Sequence, residues 1–248
     1  MKIIGVYSIK GGVGKTSTAV NMAYLAAAEG RRTLVWDLDP QGAASFYFRV
    51  KPKVKGGVSA LLRGKRELDA VIKGTDFELL DLLPADFSYR NMDILLEGPK
   101  KRITAQLERL LRPIRREYDL VFLDCPPSIS LMSENIFRAA HALLVPVVPS
   151  TLSARTLEQL DEFLAKDDAH GKLRLLPFFS MVDPSRALHA ETMARLAADY
   201  PNILGTPIPQ TPEVERMGLH RMPLPAYAPS NVAARAYQSL WAELRAAL

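Results

Sequence analysis

The stretch Lys10-Gly11-Gly12-Val13-Gly14-Lys15-Thr16-Ser17 constrains this chain more than any other. It follows an apolar run, Ile3–Ile9, and opens a helical pattern that continues to Glu29. Strand, glycine-rich turn and helix in that order are the context of a phosphate-binding loop. Small glycines let successive backbone N–H groups turn inward, and the following helix adds the positive end of its dipole. Nucleotide contacts are therefore expected from Gly11, Gly12, Val13, Gly14, Lys15, Thr16 and Ser17. The side chain of Lys15 is expected on the β- and γ-phosphates and the hydroxyl of Thr16 on Mg²⁺, which makes ATP and Mg²⁺ the cofactors. One position departs from the common pattern. Six residues before Lys15, where glycine is usual, this chain has Ile9, and an additional lysine, Lys10, begins the loop.

Such a loop needs a sheet behind it, and the rest of the chain supplies one. Apolar runs bounded by turn residues alternate with helical patterns, which predicts βαβ units around a mostly parallel sheet. Strands are expected at Ile3–Ile9, Thr33–Asp37, Leu79–Leu83, Leu120–Asp124, Ala142–Val148, Leu173–Phe179 and Ile203–Thr206. Most are β-branched or Leu-rich on both faces, as strands covered on each side should be. Helices are expected at Lys15–Glu29, Lys101–Glu117, Ser133–Ala140, Ala154–Ala165, His189–Asp199 and Asn231–Ala247. The segments 49–58 and 222–229, the latter with three prolines, are expected as surface connections. The fold class is thus α/β: a single domain over 1–248, with a twisted, mostly parallel sheet flanked by helices on both faces. At 248 residues the chain is long enough to bury a substantial core in one such domain.

Composition excludes several function classes. No run approaches the roughly 18–20 uninterrupted apolar residues of a membrane-spanning helix. The N-terminus enters a strand directly, without the charged, apolar and cleavable regions of a signal peptide, so a cytoplasmic location is expected. The single cysteine, Cys125, forbids an internal disulfide and is expected to be a small packed residue. Charge is unevenly spread. Residues 1–150 carry 22 basic and 16 acidic side chains against 10 and 11 in 151–248, which places the excess in the first part. Within it, 49–66 holds Arg49, Lys51, Lys53, Lys55, Arg63, Lys65 and Arg66 with no acid. Such a block either attracts a polyanion such as DNA or forms a solvated surface segment.

The departure at Ile9 and Lys10 gives the chain its resemblance. Lys10 to Ser17 resembles the deviant phosphate loop of the ParA/MinD ATPases. Asp37-Leu38-Asp39-Pro40-Gln41-Gly42 looks like that family's switch segment, and Leu123-Asp124-Cys125-Pro126-Pro127-Ser128 is similar to its Walker B strand end. More loosely, Met181-Val182-Asp183-Pro184-Ser185-Arg186 and the last helix match its C-terminal third. The resemblance implies that Asp124 holds Mg²⁺, that Asp39 positions the attacking water, and that Lys10 reaches the phosphates of a partner subunit's ATP. Lys10, Lys15 and Asp39 are then the catalytic set. Asp37 is expected to make structural hydrogen bonds and to help the metal's surroundings. ATP itself would be the switch for a homodimer that sandwiches two nucleotides. The stretch Pro207-Ile208-Pro209 resembles the segment flanking the base, which makes Met181 and Pro209 candidate adenine contacts; Gln210-Thr211 departs from the Arg-Asn that many members carry there.

Three uses of such a cycle can be weighed. A ParA-like positioning ATPase would bind DNA without sequence preference. The resemblance places its contacts in the C-terminal third, at Arg186, Arg216 and Arg221, whereas composition points to Lys51, Lys53 and Lys55. A partner protein that stimulates hydrolysis is also implied. A MinD-like membrane ATPase would need a basic amphipathic C-terminal helix. The last helix has an apolar stripe, but Arg235 and Arg245 are its only cations and core packing accounts for the stripe, so membrane binding is not expected. A metabolic or redox relative ranks lowest: one cysteine cannot build the two-cysteine half of a shared iron–sulfur cluster.

Overall fold

Strands that are apolar on both faces need cover on both. In the computed structural model, which describes residues 1–91, 104–166 and 173–248, the strands are β1 (Lys2–Val6), β2 (Thr33–Asp37), β3 (Lys73–Gly74), β4 (Leu80–Leu83), β5 (Leu120–Asp124), β6 (Ala142–Val147) and β7 (Arg174–Phe179). They form one sheet in the order β3-β4-β2-β5-β1-β6-β7. All neighbours run parallel except the short β3, which is antiparallel to β4. The helices are α1 (Lys15–Ala28), α2 (Ala43–Tyr47), α3 (Gly57–Leu62), α4 (Gln106–Leu111), α5 (Leu131–Ala139), α6 (Thr151–Ala165), α7 (Ala187–Asp199), α8 (Pro212–Glu215), α9 (Met217–His220), α10 (Leu224–Tyr227) and α11 (Val232–Ala247).

Successive strand residues point to opposite faces, and the core divides accordingly. Ile3, Leu34, Trp36, Val121, Leu123, Leu143 and Val145 join one cluster with residues of α3 to α6. Ile4, Val6, Val35, Leu82, Phe122 and Leu144 join a second, with the alanines of α1 and with Tyr237, Leu240, Trp241 and Leu244 of α11. Burying a large apolar side chain stabilises by about 1.5–3 kcal/mol. The stripe of α11 is therefore spent on the core, as expected from the sequence. Among the described residues no helix is long and apolar enough to cross a membrane.

Several expectations are corrected at their edges. The first strand stops at Val6, because the chain must turn before the glycines. Ile203–Thr206 is not a strand: Leu204 makes a single bridge to Phe178, its N–H donating to the Pro177 carbonyl at 2.8 Å. Gly205 and Pro207 close it off. Of the expected helix Lys101–Glu117, residues 101–103 lie outside the described residues, and the helix itself runs only over Gln106–Leu111, with Pro113 just beyond. The basic segment 49–58 is irregular only to Gly56; Gly57 begins α3, whose Val58 and Leu61 are buried. The proline-rich segment 222–229 holds α10, whose Leu224 and Pro225 are buried.

Candidate functional site: a phosphate loop over two buried carboxylates

Three strands end side by side at one edge of the sheet and each delivers a part. Asp124, the last residue of β5, lies in register with Val6 of β1 on one side and Asp37 of β2 on the other. The loop leaving β1 therefore starts beside two carboxylates on adjacent strands. In that loop Gly12 and Gly14 have φ of 69° and 92°, a region that strains residues with a Cβ. A Cβ at Gly14 would also lie 3.1 Å from the Ser180 hydroxyl. At Gly11 and Gly12 a Cβ would meet nothing within 4 Å, so the concave side of the loop is open. Gly14 is the N-cap of α1 and no side chain caps the helix, which leaves its first N–H groups for an anion.

The charged groups of the loop are held in unusual states. Lys15 is buried at 7% exposure, and its ammonium donates to the Lys10 carbonyl at 3.1 Å. Burial lowers its pKa, and the negative charge of Asp124 opposes the shift. Asp124 is fully buried, and neither carboxylate oxygen has a hydrogen-bond partner of normal geometry. Burial, and next the charge of Asp37, push its pKa well above the usual carboxylate range; the Thr16 hydroxyl and the Lys15 ammonium pull it part of the way back. An unpartnered buried carboxylate is costly. A cation beside it removes that cost, and Mg²⁺ in nucleotide sites is held by one or two carboxylates together with phosphates and water. The donor set of Thr16 and Asp124 fits that ion.

Asp37 behaves as expected, mainly as a structural acceptor. Its Oδ2 accepts from the backbone N–H and the hydroxyl of Ser45, both at 2.7 Å, while Oδ1 has no partner. Burial raises its pKa to about 6 against those two hydrogen bonds. The contact continues outward. The Ser45 hydroxyl accepts from Ala85 N–H at 2.9 Å. Next to it the Asp86 carboxylate takes Val54 N–H at 2.8 Å and the Ser88 hydroxyl takes Val58 N–H at 2.9 Å. Hydrogen bonds and the Ala85–Asp86 backbone thus join Asp37 to the basic segment.

Asp39 lies at the same edge, partly exposed. Its Oδ1 accepts from Gln41 N–H at 3.0 Å and its carbonyl from Gly42 N–H at 2.9 Å. Asp39 therefore also forms the turn that carries Pro40. Lys10 is tied within its own chain: its ammonium donates to the Ser153 hydroxyl at 3.3 Å, and Ser153 is linked to Ser150 at 3.0 Å where α6 begins. Met181, in the left-handed region at φ 55°, and Pro209 come together through the bridge between Val182 and Pro209. Cys125 is buried, its thiol pKa raised by that burial, and its Sγ donates to the Leu123 carbonyl at 3.3 Å. It is a packed residue, as expected.

Sequence reasoning missed Ser180. Its buried hydroxyl donates to the Val13 carbonyl at 2.9 Å and pins the loop to the end of β7. The available signal was a lone polar residue closing an apolar strand. It also missed the meeting of two basic groups. Arg49 donates to the His220 carbonyl at 3.0 Å and pairs with Asp76 at 3.3 Å. Arg221 donates to the Phe46 carbonyl at 3.1 Å, with its guanidinium 4.6 Å from the Phe46 ring centre. Arg49, Lys51 and Arg221 line one cleft of about 540 Å³ beside Gly42. Lys53, Lys55 and Arg216 are exposed. Arg186, also exposed, precedes α7 and lies 4.0 Å from Asp183.

Comparison with known proteins agrees with this geometry. The AAA domain family model matches residues 1–174. The chain is 29% identical over 250 residues to the sporulation initiation inhibitor protein Soj of Bacillus subtilis, covering 99% of this chain and 98% of that protein. It is 34% identical over 160 residues to the chromosome partitioning protein ParA of Myxococcus xanthus, covering 64% of this chain and 56% of that one. Among solved structures, the cobyrinic acid a,c-diamide synthase of Mycobacterium smegmatis with bound ADP and magnesium superimposes with a TM-score of 0.82 at 27% identity, over 98% of this chain and 94% of that one. With a family model over most of its length and the loop, switch and strand-end carboxylates in place, the chain belongs to the ParA/Soj family of P-loop ATPases.

Proposed function

We propose that this protein is a positioning ATPase: it binds ATP and Mg²⁺, pairs with a second copy, binds DNA without sequence preference, and releases it on hydrolysis. The observation that carries the catalytic part is the buried, unpartnered Asp124 beside Lys15 and Thr16, a constellation that gains by receiving a cation and phosphates. When bound, ATP–Mg²⁺ supplies the phosphoanhydride and the metal charge that neutralises it. The backbone N–H groups of Gly11 to Thr16 and the Lys15 ammonium hold phosphate oxygens, while Thr16 and Asp124 hold the metal. Asp39 orients and polarises the attacking water. Lys10 leaves Ser153 and reaches the phosphates bound by the partner copy. Ser17, Met181 and Pro209 complete the nucleotide contacts.

DNA binding rests on the exposed Lys51, Lys53, Lys55, Arg186 and Arg216, together with the half-buried Arg221. Each phosphate neutralised adds to a steep loss of affinity with salt. The hydrogen bonds from Asp37 through Ser45 to the segment around Val54 give the nucleotide site a route to that surface. A cargo-bound protein that stimulates hydrolysis completes the cycle, in the cytoplasm.

Binding to non-specific duplex DNA is the test, measured with ATP, with ADP and without nucleotide, in an Asp39→Ala background that slows turnover. Binding only with ATP, weakened by salt and abolished by Lys15→Ala, is expected. ATP-dependent dimerisation without DNA binding would overturn the DNA part and keep the switch. The likeness to a diamide synthase favours a second reading, a small-molecule ligase. It predicts ATP turnover that requires an acid substrate and ignores DNA.

A further inference from the structure

A cavity of about 600 Å³ lies away from the phosphate loop. It lies at the opposite edge of the sheet, where β1 and β6 begin and α4 and α5 end. Its lining includes Arg109, Arg112, Arg115, Arg138 and His141, with Glu108 the one acidic residue among the described residues. The length of β1, roughly 16 Å at about 3.3 Å per residue, separates it from the nucleotide site, and its use is independent of the function proposed above.

Three details make this more than a solvated basic helix. Arg109 stands in the last turn of α4, Arg112 directly follows the helix and Arg115 comes after Pro113, yet all three line the same cavity. Among the described residues none of these three has a carboxylate within ion-pair distance. All four cations are arginines, whose planar guanidinium groups match phosphoryl oxygens two at a time. Arg138 is also held in place, donating to the Thr104 hydroxyl at 2.9 Å. The Nδ1 of His141 accepts from Ile3 N–H at 3.0 Å, so the neutral ring carries its hydrogen on Nε2 as a further donor. Arginines in the last turn of a helix complement its dipole, but that role needs neither a shared cavity nor a histidine donor.

We infer that this cavity is a second anion site, which binds a small molecule carrying two or more phosphoryl groups. Its volume falls in the range of small-ligand pockets, about 300–1,000 Å³. That is enough for a compact polyphosphate and too small to enclose a duplex.

The test is titration of protein saturated with fluorescent ADP, in Mg²⁺ exceeding all phosphate, with inorganic tripolyphosphate, sulfate and citrate at equal ionic strength. The expected result is saturable binding of tripolyphosphate, at least tenfold tighter than sulfate or citrate, with the fluorescent ADP retained. Arg112→Ala/Arg115→Ala should weaken that binding at least tenfold, and Lys51→Ala should leave it unchanged. A purely structural role would lower the melting temperature of the double variant without changing its tripolyphosphate affinity relative to wild type. That result would overturn the site, as would displacement of ADP in step with binding. If Arg112 and Arg115 prove necessary for duplex DNA while tripolyphosphate does not bind, the surface belongs to nucleic acid and the proposal is wrong.

Discussion

The two ends of the sheet carry opposite solutions to holding charge. At the end where β1, β2 and β5 finish, three charged groups are buried: both oxygens of Asp124 and one of Asp37 lack a partner, and Lys15 is held against a carbonyl. At the other end Arg109, Arg112 and Arg115 are exposed to water. A solvated charge costs the fold little whether or not a ligand arrives. A buried one leaves a debt of desolvation that only a ligand or a proton can remove. The first end should therefore be sensitive to nucleotide, metal and pH together, and the second to ionic strength and to the phosphoryl ligand inferred for it.

The comparison is broken most severely by Asp39→Ala. A group that activates water typically contributes 10²–10⁴-fold to rate. Turnover should fall by about 10²-fold or more while nucleotide affinity, measured by fluorescence, stays within about threefold. Equal losses in both would make Asp39 only a turn former.

Asp124→Asn should separate stability from binding. Removing the unpartnered charge should raise the stability of the nucleotide-free protein by about 1–3 kcal/mol, the size of an unmet desolvation cost. In thermal unfolding that is roughly 2–4 °C per kcal/mol. Mg²⁺ should no longer strengthen nucleotide binding in this variant. A melting temperature that falls in the nucleotide-free protein would mean that the carboxylate is satisfied after all.

The same two carboxyls set a pH dependence. Burial raises Asp37 to about 6 and Asp124 well above the ordinary range, so the folded state holds protons that the unfolded chain has already released. Their contribution is full below the unfolded carboxylate pKa and is lost as pH rises through the folded values. The nucleotide-free protein should lose several degrees of melting temperature, at about 2–4 °C per kcal/mol, between pH 4.5 and about 7. Mg²⁺ with nucleotide should flatten that slope. The smallest effect expected is from Ser180→Ala, which removes the hydrogen bond to Val13. A net loss of about 1 kcal/mol is typical of one buried hydrogen bond, and urea denaturation would measure it.

Legibility in the sequence followed the same division. Strands β1, β2, β5 and β6 were readable because each is apolar on both faces, and the loop because glycine and lysine stand at fixed offsets. Asp124 was readable as a carboxylate ending an apolar strand. What escaped was set by tertiary contact. The short turns α8 to α10 carry too few residues for a period; Thr211 caps α8, and α10 is tied to α1 where Asn21 accepts from Leu224 N–H at 2.8 Å. Ile203–Thr206 has strand composition but lies where the sheet ends. Arg221 and Arg49 are 172 positions apart in number, and only Phe46 and His220 bring them to one cleft.

The tie between Lys10 and Ser153 has a consequence for assembly. A subunit that reaches its partner through Lys10 must first give up this internal bond, so pairing exchanges one hydrogen bond for another and does not add one outright. Exchange lowers the net gain of association, since a hydrogen bond contributes only about 0.5–1.5 kcal/mol net in any case. A copy that stays single keeps the Lys10–Ser153 bond and gives up nothing at this position.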